Sequence, residues 1–303
     1  MKILVTGGAG FIGSHLVASL ALTNEVWVLD DLSSGKLENL EGTEAHFVQG
    51  SILDTRVLNR LPERVDWVFH LAAMTSVAES MTKPCECVET NTIGMLKVLE
   101  WASKARVKKF VFASSAAVYG NGLDLPKRED MRPEPQSPYA VSKLDGEFYC
   151  DIFSQGSDMG TVCLRFFNVF GPRQSAQSAY ASAVPIFFEK ALHGREIVIH
   201  GDGEQTRDFI SVEDVVEAMK FVAHCEQARG VYNVGYGENL SINDLVDKIK
   251  ALVGSKSPVR HEAVRPGDVK HSVAAVDRLR ALGFACQGTL DSGLRRLAEF
   301  YKS

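Results

Sequence analysis

Lys2-Ile-Leu-Val-Thr-Gly-Gly-Ala-Gly-Phe-Ile-Gly13 is the stretch that decides the fold of this 303-residue chain. A short apolar run passes directly into glycines spaced Gly7-x-x-Gly10-x-x-Gly13, and these open a helical pattern, Phe11–Leu20. In a strand–turn–helix setting the glycines have mechanical reasons. They permit the tight turn, let backbone approach a pyrophosphate, and let helix pack on strand. The helix N-terminus, with Phe11 and Ile12 in its first turn, then offers free N–H groups and a partial positive charge to phosphates. Asp30 ends the next apolar run, Val26-Trp-Val-Leu-Asp30. A carboxylate about 20 residues past the glycines accepts from a free ribose 2′-hydroxyl and repels a 2′-phosphate, which selects NAD over NADP. Asp31 points to the other side of the strand end and is the lesser candidate.

Working outward, strand-like runs recur at Ile3–Val5, Val26–Leu29, Ala45–Val48, Trp67–Leu71, Phe110–Phe112 and Thr161–Arg165. Helical patterns fall between them, notably Phe11–Leu20, Pro84–Ala102 and Tyr139–Ser154. This alternation predicts right-handed βαβ units and an α/β fold of Rossmann type, a doubly wound parallel sheet covered on both faces. The character changes after Arg165. A loop-like stretch over 170–180 precedes a helix (Val184–Leu192) and a short strand (Glu196–Ile199). Val212–Cys225 and Val231–Val234 return to the sheet as a last helix and strand, and further helices are expected near Ile242–Val253, Ala275–Leu282 and Asp291–Tyr301. The expected division is a cofactor domain, 1–166 plus about 205–235, and a smaller discontinuous α/β C-terminal substrate domain, about 167–204 plus 236–303.

The chain is 45% hydrophobic with a formal net charge of -5, enough apolar material for a large core. Its mild acidity argues against a nucleic-acid or anionic-membrane surface, and no apolar run approaches a membrane span. The apolar start enters the glycine turn at once and reads as a buried strand, not a signal peptide. The six cysteines are scattered and read as reduced cytosolic thiols, so a cytoplasmic location is expected. Cys85-x-Cys87 lacks a second half at zinc spacing, so no metal site is expected.

Chemistry enters at Ser137-Pro-Tyr-Ala-Val-Ser-Lys143. On a helix Tyr139 and Lys143 share one face, roughly 5–6 Å apart at Cβ. The lysine cation is expected to lower the phenol's pKa and make Tyr139 a general base. His70 reads as a packed histidine. The small alanines of Leu71-Ala72-Ala73 would let backbone pass close to a flat cofactor, and Asn91, unfavourable inside a helix, is expected either to hydrogen-bond toward the active-site strands or to be an ordinary surface asparagine.

These residues carry a resemblance. Thr6-Gly-Gly-Ala-Gly-Phe-Ile-Gly13, His70-Leu-Ala-Ala73, Ser114-Ser-Ala-Ala-Val-Tyr-Gly120, Tyr139-x-x-x-Lys143, Arg165-Phe-Phe-Asn168, Arg207-Asp-Phe209 and Arg265-Pro-Gly-Asp268 occur in this order. The chain resembles the extended short-chain dehydrogenases/reductases and, within them, the nucleotide-sugar epimerase/dehydratase family, over nearly its whole length. The resemblance implies a catalytic triad of Ser115, Tyr139 and Lys143. It also implies NAD held by Gly7, Gly10, Phe11, Ile12, Gly13, Asp30, Asp31, Ser51, Ile52, Leu71, Ala72, Ala73, Asn91 and the triad's Tyr139 and Lys143. Relatives that dehydrate or decarboxylate nucleotide sugars carry carboxylates just after the triad serine. Here Ala116-Ala117 stands there, which leaves oxidation and re-reduction at one carbon, the outcome of a 4-epimerase.

On the substrate side the resemblance implies a UDP-sugar anchored by Asn168, Arg207, Arg265 and Asp268, besides Ser115 and Tyr139. Ser272, small at the sugar-pocket position, implies room for an N-acetyl group, so that UDP-GlcNAc/UDP-GalNAc enter alongside UDP-Glc/UDP-Gal. Two departures bear on cofactor retention: Ser51 stands where an aspartate is frequent in Gly50-Ser51-Ile52, and Thr75 where some relatives carry lysine. Two other functions compete. A keto-sugar reductase would use and release NADPH, against which Asp30 argues. A non-catalytic NAD-binding regulator would have a broken triad. Relatives form homodimers through helices matching Pro84–Ala102 and Tyr139–Ser154.

Overall fold

The structure is a computed structural model that describes residues 1–175, 182–264 and 270–302. Seven strands, all parallel, form the central sheet. Across it the order is Gly230–Val234, Gly160–Phe166, Lys109–Ser115, Trp67–His70, Lys2–Thr6, Glu25–Asp30, His46–Gln49. The chain therefore starts in the middle, builds outward one way through three strands, and then restarts on the other side of the first. Where the first and fourth strands lie side by side, their following loops diverge and leave a crevice beyond the strand ends, the usual ligand position in such sheets.

The strands read as continuous apolar runs because both faces are buried. Ile3, Val5, Val28, Phe69 and Val111 point into one core, beneath helices Phe11–Leu20 and Val212–His224. Leu4, Leu29, Val68, Phe110 and Phe112 point into the other, beneath Gly94–Lys104 and Pro138–Gln155. The expected single helix Pro84–Ala102 is interrupted: Pro84–Val88 and Gly94–Lys104 flank a π-helical turn, Glu89–Ile93. Other expected elements keep their places with ends shifted by a residue or two, as with Ile197–His200 for the short strand.

Among the described residues three small sheets lie outside the central one. Asn168–Phe170 pairs with Phe209–Ser211, and Ile197–His200 with Val259–Glu262. Thr206–Arg207 lies between Leu240–Ser241 and His271–Ser272. Asp208, fully buried, knits these pieces together. Its carboxylate accepts N–H bonds from Tyr236 and Gly237 (both 2.9 Å) and from Ala274 (3.0 Å). Burial outweighs those donors and raises the carboxyl to about 6.

Candidate functional site

The glycine turn closes as the spacing predicts. Gly7 takes φ +71°, and a Cβ there would lie 2.7 Å from the Ala72 nitrogen, so the loops after the first and fourth strands touch. A Cβ on Gly13 would lie 2.1 Å from the Gly7 carbonyl oxygen, so only glycine lets the helix start this close to the turn. Gly10 differs: its Cβ would meet nothing nearer than that same oxygen at 3.2 Å. It is the N-cap of Phe11–Leu20, and no side chain caps the helix there. The result is a backbone cradle with first-turn N–H groups at its rim, and these residues fit a dinucleotide pyrophosphate.

Asp30 is buried at the end of the second strand, and burial raises its pKa. Its oxygens accept from Ala9 N and Leu32 N, both at 2.9 Å, leaving further lone pairs for a ribose hydroxyl. Asp31 is more exposed and turns one oxygen to Ser33 N at 2.9 Å. Ser51 accepts from Leu53 N at 3.2 Å. The Ile52 side chain is buried in the core against Gly94, beneath Gly94–Lys104. Leu71, Ala72 and Ala73 are half-buried along the crevice: Leu71 N donates to the Thr6 carbonyl and Ala72 N to Thr6 Oγ1. His70 is buried against the same threonine (2.8 Å), and burial lowers it to about 3, so it stays neutral. Thr75 is exposed in the loop before Val77–Thr82.

Asn91 sits in the π-helical turn and uses its amide within the protein. Oδ1 accepts from Met74 N at 2.7 Å, while Nδ2 donates to the Met74 carbonyl at 3.0 Å and to Ser142 Oγ at 3.0 Å. It clamps the crevice loop to the residue beside Lys143.

The Tyr139 helix starts where the sequence says it should. Ser137 is the N-cap, accepting from Ala140 N at 3.1 Å, and Pro138 takes the first turn. The Tyr139 backbone N–H is held by Ser80 Oγ at 3.2 Å. The Tyr139 phenol faces the Ser115 hydroxyl, at the end of the fifth strand, closely enough for that hydroxyl to favour the phenolate. Lys143 is buried, with Nζ 5.7 Å from the Tyr139 ring centroid and donating to the Ala113 carbonyl at 2.8 Å. The structure thus brings Ser115, Tyr139 and Lys143 together.

It corrects their electrostatics. The expected lowering of the phenol by Lys143 is not the dominant effect. Burial pushes Tyr139 up, and the Ser115 hydrogen bond is what pulls it down. Burial also lowers Lys143 to about 8. Desolvation comes first for both groups, and at the phenol the Ser115 hydroxyl opposes it.

Ser115 also caps a single 3-10 turn, Ala116–Tyr119, accepting from Ala117 N at 3.1 Å. Ala116 and Ala117, with no carboxylates, line the approach to it half-buried. In the small sheet around Thr206–Arg207, Ser272 lies in register beside Arg207. Arg207 Nη1 donates to the Thr206 and Lys270 carbonyls, and Asn168 Nδ2 to the Asp208 carbonyl at 3.0 Å. Arg265 and Asp268 lie outside the described residues. From Ser272 the chain runs to Ala274, which packs with Val118, Tyr119 and Phe167, so the substrate strands and the triad's turn share one small core. Sequence reasoning missed Ser80, Ser137, Ser142, Glu147 and Asp208 as supports of the site. The usable signal lay in Glu147, four residues past Lys143 and on its face.

The fold and triad define an extended short-chain dehydrogenase/reductase. The sequence profile of the NAD dependent epimerase/dehydratase family matches residues 3–235, and the chain belongs to that family. It is 38% identical to the UDP-glucose 4-epimerase of Mycolicibacterium smegmatis over 313 residues, covering 100% of this chain and 99% of the relative. It superposes on the UDP-N-acetylglucosamine 4-epimerase of Methanobrevibacter ruminantium M1, solved with UDP-N-acetylmuramic acid, with TM-score 0.96 and 38% identity over 99% of this chain and 98% of that one. For the UDP-glucose 4-epimerase of Thermotoga maritima, solved with UDP-glucose, the TM-score is 0.94 and the identity 39%, over 100% and 99%.

Proposed function

We propose that the chain is an NAD-dependent 4-epimerase of UDP-hexoses, acting on UDP-Glc/UDP-Gal and on UDP-GlcNAc/UDP-GalNAc. The observation that carries this reading is the meeting of Ser115 and Tyr139 beside buried Lys143, whose Nζ lies 5.7 Å from the Tyr139 ring centroid, followed by two alanines where elimination or decarboxylation chemistry would need carboxylates. The glycine cradle and Asp30 would hold NAD, which would supply a reversible hydride acceptor. Tyr139 takes the proton of the sugar C4 hydroxyl, and Ser115 holds that oxygen and shortens the proton's path. Lys143 keeps a cation beneath the tyrosine ring. The transient 4-keto sugar turns over while Arg207, Asn168, Arg265 and Asp268 retain the nucleotide-diphosphate end, and, with the hydride returned to the opposite face of C4, Tyr139 gives the proton back to the C4 oxygen. Small Ser272 leaves space for an N-acetyl group.

The same reading assigns the cofactor to 1–166 plus about 205–235 and the nucleotide sugar to about 167–204 plus 236–303. It gives a cytoplasmic homodimer. Support for the dimer comes from Val88 and Ile93 on one helical stretch and Val141, Phe148 and Ile152 on Pro138–Gln155, all exposed. No helix among the described residues is long and apolar enough to cross a membrane.

The test is incubation with each UDP-hexose, without added reductant, and separation of C4 epimers. Interconversion that disappears in a folded Tyr139→Phe variant is expected; no interconversion of any pair with NAD present refutes the reading.

A further inference from the structure

The Tyr139 helix carries a third polar residue on the same face. Glu147 lies one turn beyond Lys143 and two beyond Tyr139. Its carboxylate receives a bidentate pair from Arg165, Nε to Oε1 at 2.8 Å and Nη2 to Oε2 at 2.7 Å, with both side chains 4% exposed. Oε1 also accepts from Ser114 Oγ at 2.5 Å, and Ser114 immediately precedes Ser115. Arg165 lies over the Tyr119 ring, 4.7 Å from its centroid, and Tyr119 closes the turn that Ser115 caps. Three segments that place Ser115 and its partner therefore converge on one buried ion pair. They are the residue before it, the turn after it, and the helix bearing Tyr139 and Lys143.

A buried ion pair is a poor source of net stability, because desolvation offsets most of its attraction. This one also leaves Arg165 Nη1 buried without a partner. Apolar side chains would hold the same elements together at least as well, but they would not fix directional register among three segments. We propose that Glu147, with Arg165 and Ser114, is a positioning residue for the proton-transfer step, setting the contact between Ser115 and Tyr139. This rests on the epimerase reading.

The groups facing the Tyr139 phenol are Lys143 on its own helix, Ser115 from the fifth strand and Cys87 from Pro84–Val88, with His70 behind Lys143. Of these, Ser115 draws the phenol pKa down, so displacing Ser115 moves it up. Ser114→Ala removes one oxygen and is expected to keep the fold. It should lower kcat about tenfold while KM for the UDP-sugar and Kd for NAD stay within about twofold. The Tyr139 phenol, titrated by its ultraviolet tyrosinate signal with Tyr139→Phe as blank, should move up by about half a unit. Glu147→Gln should do the same more strongly. Wild-type kcat and phenol midpoint in both folded variants would overturn the proposal. A loss spread equally over kcat, KM and NAD affinity would overturn it too, since that marks general loosening. If the wild type interconverts no UDP-hexose, the epimerase reading fails, and the phenol titration still decides the positioning role.

Discussion

Replacing Asp208 with asparagine should remove most of one pH-dependent component of stability. The Asp208 carboxyl is fully buried and its pKa rises from 3.8 to about 6 on folding. Two units at 1.36 kcal/mol each amount to ~3 kcal/mol. The sign follows from proton binding: between these values the folded state holds the proton more tightly than the unfolded chain. The stabilisation is complete below about pH 4, lost as pH rises to about 6, and flat above. A carboxamide does not titrate. It also has one acceptor oxygen where the carboxylate uses two, so at least one of Tyr236 N, Gly237 N and Ala274 N faces an NH₂ group. That orphaned donor costs about 1–3 kcal/mol at every pH. Urea unfolding of both proteins at several pH values separates the two effects. The wild-type advantage over Asp208→Asn should shrink by ~3 kcal/mol between about pH 4 and about pH 7, or about 1 M in midpoint at a slope of about 3 kcal/mol/M. Parallel pH curves would refute the reasoning, because they would mean Asp208 titrates alike in both states.

Gly13→Ala drives a methyl group into turn backbone and should abolish the NAD-induced rise in melting temperature, whereas Gly10→Ala meets only the Gly7 carbonyl oxygen, at 3.2 Å, and should keep the fold with a smaller rise; equal responses would contradict the cradle geometry. Phe148→Glu, at a side chain 59% exposed on Pro138–Gln155, should give a monomer in sedimentation if this face joins two copies; an unchanged mass would exclude that interface.

The cofactor half was legible because its signals are local. A parallel strand buried on both faces has to be apolar throughout, and a glycine with no room for a Cβ leaves its spacing in the sequence. Tyr139 and Lys143 were legible for the same reason, since helical spacing alone puts them on one face. What spacing does not carry is desolvation, and here burial reverses the expected direction for the phenol. The π-helical turn at Glu89–Ile93 was hidden as well. Asn91 finds its partners at Met74 and Ser142, 17 and 51 residues away in the chain, and nothing in the helical pattern announces them. Glu147 and Arg165 are each ordinary in sequence and become a buried pair only when helix and strand pack.

The strand order has a consequence for how the molecule is made. Synthesis as far as Phe166 delivers six of the seven sheet strands, together with Ser115, Tyr139 and Lys143. The seventh, Gly230–Val234, joins beside Gly160–Phe166 only after the chain has left the sheet and returned. A growing polypeptide therefore owns Ser115, Tyr139 and Lys143 before Arg207 and Ser272 exist, and the slow, long-range closure falls to that last edge. Until that last strand docks, one flank of Gly160–Phe166 is an open, apolar edge, the stretch of the nascent protein most in need of protection from its neighbours.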